Sequence, residues 1–90
     1  MPAVNDLTAT IEQELTNLTN LPAPVRRWII EIGDDATNEM AVWVWAVLDD
    51  ASITRDVTIR LRNLIFDTVS HVFPNAKWVY VRFRASSEVE

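Results

Sequence analysis

Residues 53–73, ITRDVTIRLRNLIFDTVSHVF, decide the fold, because two periods run through the same letters. Val57, Leu61, Leu64, Ile65, Thr68 and Val72 recur at helical spacing, with Ile59, Phe66, Val69 and Phe73 widening the stripe. Over residues 56–62 the same stretch also reads as a half-buried strand, since Val57-Thr58-Ile59-Arg60-Leu61-Arg62 alternates apolar and polar. Length breaks the tie. Twenty-one residues run to Pro74 without an internal glycine or proline, which suits a helix and exceeds an ordinary strand.

Upstream, Asp49-Asp50-Ala51-Ser52 breaks the chain and offers Ser52 or Thr54 as a helix cap. Before it stands MAVWVWAVL (Met40–Leu48), the strongest strand signal present, and VRRWIIEI (Val25–Ile32) is a second strand. GDDATNE (Gly33–Glu39) between them has hairpin-loop composition and the only glycine. Leu7, Ile11, Leu15 and Leu18 place a helix over 6–19, capped by Asn5 or Asp6 and stopped by Leu21-Pro22-Ala23-Pro24. Downstream, Pro74-Asn75 turns into KWVYVRFR (Lys77–Arg84), a third strand. Residues 1–4 and 86–90 are expected to fray. The order is α-β-β-α-β: an α+β two-layer sandwich, ferredoxin-like or KH-like in layout, with two helices on one face of a three-stranded sheet.

Ninety residues allow one small domain, 1–90, and the 49% apolar content suffices for a core. No cysteine is present, which removes disulfides, thiolate zinc sites and thiol nucleophiles and makes a reducing cytoplasm the expected compartment. No apolar run is long enough to span a membrane, and Met1–Asp6 lacks the basic start and apolar run of a secretory leader. The net charge of −5 is unevenly spread, with two basic against nine acidic residues in 1–50 and six against four in 51–90. An acidic total disfavours nucleic acid held by bulk electrostatics.

Side chains alternate along a strand, so each strand divides into two faces. Met40, Val42, Val44, Ala46 and Leu48, with Val79, Val81, Phe83, Trp28, Ile30 and Ile32, suit the side under the helices. The other side then presents Trp43, Trp45, Trp78, Tyr80, Ile29, Arg27, Arg82 and Arg84, and neither helix remains to cover it. Such a patch marks an interaction surface. The expected function is therefore a small non-catalytic interaction module, joining a second copy or a partner protein through this face, with a regulatory or antitoxin-like role as one version. One alternative is a single-stranded nucleic-acid domain that stacks bases on Trp43, Trp45, Trp78 and Tyr80 while arginines meet phosphates. Another is a domain that holds a small planar or cationic ligand between the tryptophans.

Catalytic and metal chemistry finds little material. His71 is the lone histidine and has no second ligand type to complete a metal site. Asp34-Asp35 and Asp49-Asp50 fall at opposite ends of a strand ~30 Å long, too far apart to share a cation, and turn and cap duty accounts for both. Ser52, Ser70, Ser86 and Ser87 lack the glycines of a nucleophile elbow, and Gly33 alone cannot build a phosphate loop. Nothing in the spacing favours a catalytic pair such as Glu39 with Asp49. No enzyme activity, metal or cofactor is expected.

The element order resembles that of the cytoplasmic C-terminal domain of cation-diffusion-facilitator metal transporters, which dimerises, and also that of ribosome-binding factor A and related KH-like folds. The resemblance spans nearly the whole chain and implies the same α+β layout. The metal-binding histidines of the transporter domains have no counterparts here, and no G-x-x-G loop exists for a KH-type grip, so neither activity is implied.

Overall fold

The computed structural model describes residues 3–89; fraying expected at residues 1–2 and 90 lies outside them. The described elements are α1 (Ala3–Thr16), β1 (Val25–Asp34), β2 (Met40–Leu48), α2 (Arg55–Val72), β3 (Trp78–Ala85) and α3 (Ser86–Val89), with a 3-10 turn at Asp50–Ser52 before α2. The three strands form one mixed sheet in the order β1-β2-β3. The hairpin makes β1 and β2 antiparallel, and α2 carries the chain back so that β3 lies parallel to β2. That geometry follows from chain length, because a parallel partner needs a long crossover.

The ambiguous stretch is a helix throughout. Leu61, Ile65 and Val69 are its buried residues, at helical spacing, while Arg60 and Arg62 point outward. Thr54 caps it: its Oγ1 accepts from the Val57 amide at 3.2 Å. Ser52, the other cap candidate, lies in the 3-10 turn. At the far end Phe73 donates to the Val69 carbonyl at 2.8 Å before Pro74 prevents continuation.

The core is one cluster. Ile11 and Leu15 of α1, Val42, Val44, Ala46 and Leu48 of β2, Leu61, Ile65 and Val69 of α2 and Val81 of β3 are buried together. Trp28, Ile30, Ile32, Val79 and Phe83 pack against it half-buried, on the side that alternation assigns to them, whereas Met40, assigned to the same side, is exposed at the start of β2 and outside the core. The described residues have no buried polar or charged side chain, so the core rests on apolar burial and backbone ladders.

Helix α2 and strand β3 differ from the sequence expectation by one or two residues at their ends, and four other boundaries depart from it. Helix α1 begins at Ala3, which puts Asn5 and Asp6 inside its first turn instead of at its cap. It stops at Thr16, not 19: the Thr16 hydroxyl donates back to the Glu12 carbonyl at 2.8 Å, and Asn17, Thr19 and Asn20 are weak helix formers. Strand β1 runs on through Gly33 and Asp34, which shortens the hairpin loop to residues 35–39. At the C-terminal end, Ser86–Val89 form α3 where fraying was expected. The Glu88 carboxylate reaches back to the Ala85 amide at 3.1 Å, one half of a capping box. Ser87 Oγ donates to Asp50 Oδ2 at 2.7 Å and ties α3 to the turn after β2.

Candidate functional site

Register defines the surface opposite the helices. Pairing runs Gly33–Ala41–Trp78, then Glu31–Trp43–Tyr80, then Ile29–Trp45–Arg82, then Arg27–Val47–Arg84. These four rows of three form the free face of the sheet, and they contain all eight residues assigned to it by alternation. Ala41 and Val47 are also buried, although no helix was expected over them. Each sits mid-row on the central strand, flanked on both sides by neighbours, and Val47 lies between the long stems of Arg27 and Arg84.

Trp43 and Tyr80 are directly paired, and their rings stack with centroids 5.6 Å apart and planes 21° apart. A stacked pair of this kind is favourable beyond its buried area. Trp45 is half-buried between Ile29 and Arg82, and Trp78 remains 46% exposed. The Trp78 indole N–H donates to Glu39 Oε1 at 3.1 Å, and Lys77 Nζ lies 3.8 Å from the other oxygen. Trp78 is thus oriented by a carboxylate that the sequence considered only as a catalytic partner of Asp49. Asp49 lies beyond the other end of β2, where it pairs with Arg26 at 2.7 Å.

The hairpin loop forms the acidic rim. Asp35 Oδ1 accepts from the Thr37 hydroxyl at 2.6 Å, the Thr37 amide at 2.8 Å and the Glu39 amide at 3.1 Å. Those bonds, led by the Thr37 hydroxyl, hold its carboxyl below the ordinary value of 3.8 against an opposing effect of burial, with a smaller contribution from the Tyr80 hydroxyl. Asn38 makes the sharp bend at φ 63°. At the opposite end of the face stand Arg27, Arg82 and Arg84, which make no ion pair among the described residues. The loop end of the face thus carries Asp35 and Glu39 beside Lys77, and the other end carries Arg27, Arg82 and Arg84 with Asp49 and Asp50 just beyond the strand, on either side of an aromatic centre.

Elsewhere, no three His, Cys, Asp or Glu side chains among the described residues converge on a common metal position. No helix among them is long and apolar enough to cross a membrane. Sequence reasoning missed Asp35, Glu39 and Glu31 as members of this surface. Alternation puts Glu31 on the same side as Ile29, but only the register sets it beside Trp43.

Three strands, two long helices and their order define the class: an α+β two-layer sandwich with a mixed sheet. Among solved structures the chain is similar to MamM V260R, with a TM-score of 0.65 and 9% identity over 94% of this chain and 99% of that one. At that identity the likeness is one of fold. No protein-family model and no curated protein matches the sequence.

Proposed function

We propose that this protein is a non-catalytic assembly module that buries the aromatic sheet face against a second copy of itself or a partner protein. One observation carries the reading: Trp43, Tyr80, Trp45 and Trp78 fall in adjacent rows on the side of the sheet opposite the core that α1 and α2 cover. Aromatic centres rimmed by charge are the composition of protein interfaces. The dimeric state of the transporter domains that the element order resembles supports the same reading.

Charge order favours a second copy. Two faces related by a two-fold axis across the strands run antiparallel, so the Arg27–Arg84 end of each meets the Asp35–Glu39 end of the other. Parallel stacking would set arginine against arginine. The nucleic-acid alternative has less support, because the Trp43–Tyr80 stack already occupies one face of each ring and the acidic rim repels phosphate.

Sedimentation tests the reading. The wild-type chain is expected to be dimeric at micromolar concentration, and Trp43→Glu with Trp78→Glu is expected to be monomeric with unchanged far-ultraviolet circular dichroism. A wild type that stays monomeric at high micromolar concentration defeats the self-association form. Binding of labelled single-stranded DNA at low salt, abolished by the same variant, would move the assignment to the nucleic-acid alternative.

A further inference from the structure

A second surface runs along the β3 edge of the sheet. In the order β1-β2-β3 the far edge of β3 has no strand beside it, so part of its backbone hydrogen-bonding capacity is open. Helix α2 flanks this edge and leaves a groove of about 340 Å³ between them. The groove is lined by Arg62, Asn63 and Phe66 of α2 and by the continuous stretch Val79–Arg82 of β3. Both faces of β3 contribute to the lining, which places the groove along the strand edge itself. Phe66 is a helical phenylalanine left 51% exposed beside it.

Its chemistry is one-sided. None of the lining residues is acidic, and neither Arg62 nor Arg82 makes an ion pair among the described residues. The Arg62 guanidinium lies over the Phe83 ring at 5.6 Å from its centroid. Arg82 Nη1 donates to the carbonyl of Val81 at 3.3 Å, a long bond to its own neighbour's backbone. A carboxylate is a stronger acceptor for that guanidinium and would release the carbonyl.

We propose that the β3 edge and its α2 flank accept an extended acidic peptide as a fourth strand. Main-chain bonds to β3 supply affinity, an apolar side chain packs on Phe66, and carboxylates meet Arg62 and Arg82. Charge selects this occupant over a second copy. Edge-to-edge pairing of two β3 strands would bring two Arg62 and two Arg82 side chains together with no carboxylate between them. The groove shares Tyr80 and Arg82 with the aromatic face, whereas Trp43 and Trp45 belong to that face alone and Arg62 and Phe66 to the groove alone, so shifts at these four tell the two surfaces apart.

The test uses the whole chain, isotope-labelled, and an end-blocked peptide of alternating valine and glutamate about eight residues long, near the upper length of ordinary strands. The expected result is amide shifts and exchange protection over residues 78–85 and shifts over 62–66, with affinity falling as salt rises. Arg62→Glu with Arg82→Glu should weaken binding about tenfold or more. Arg55→Glu with Arg60→Glu makes the same change in net charge away from the groove and should leave affinity within about twofold. A peptide N-methylated at alternate residues should not bind in the register that needs those donors. The proposal is overturned by no binding at low salt, by equal binding of a valine–lysine peptide, by shifts centred on Trp43 and Trp45, or by N-methylation in either register having no effect. It is also overturned if β3 amides become protected with rising protein concentration in the absence of peptide, since a second copy then holds the edge.

Discussion

Asp35 is the residue that closes the hairpin, and its role is electrostatic as well as geometric. Three donors converge on one oxygen, which stabilises the ionised form. Because its folded pKa lies below 3.8, the stability it contributes is complete above that value and is lost as pH falls through the folded one. Wild type should therefore lose urea resistance relative to Asp35→Asn as pH drops below 3.8, whereas above that value the aspartate protein should be the more resistant. Equal slopes for the two proteins at acid pH would remove the assignment. The loop also shows where residue-level reading stopped. The only glycine lies in β1 with no positive φ, and Asn38 takes the left-handed bend, because asparagine tolerates that region almost alone among residues with a side chain. A glycine beside two aspartates reads as a turn, and nothing local distinguishes it from one.

Elements were legible where the period was long and unbroken. The stripe from Val57 to Val72 outweighed six alternating residues because Leu61, Ile65 and Val69 bury only as a helix. The Thr54 cap was legible too, by residue type and position. Replacing Thr54 with alanine removes one acceptor for the first turn of α2 and should cost about 1 kcal/mol, with serine or aspartate retaining most of it; chemical denaturation measures the difference. What periodicity could not supply was a break in alternation. The register slips between Val25 and Arg27, so Val25 pairs with Leu48 and packs on the core instead of sharing the free side with Arg27. Arg26 is the extra residue, and its guanidinium reaches Asp49. The short α3 was missed for a related reason: its hold is a long-range bond between Ser87 and Asp50, which no local window contains.

At the level of the whole molecule, the sequence sorted side chains into two faces but did not order the strands. The aromatic surface was legible because alternation alone assigns its members. The groove beside β3 was not, since it depends on β3 being an edge and on α2 lying along it. Charge acts at this scale as well. If the proposed antiparallel face-to-face dimer joins unlike ends, its dissociation constant should rise with salt, and Arg84→Glu should weaken it while leaving the melting temperature of the monomer unchanged. Sedimentation at low and high salt measures both; a dimer strengthened by salt would leave only the apolar strip in play.

The parallel pairing of β3 with β2 also fixes a sequence of events in time. β1 and β2 close through a five-residue loop, whereas β3 can pair only after the chain has passed through all of α2, and such distant closures come late. Trp78 and Tyr80 lie on that strand. A chain lacking β3 carries neither the stacked aromatic pair nor the groove, so both proposed surfaces wait on its pairing. Stopped-flow refolding should accordingly give φ-values near zero for Val81→Ala and higher ones for Val44→Ala; the reverse order would place β3 in the nucleus.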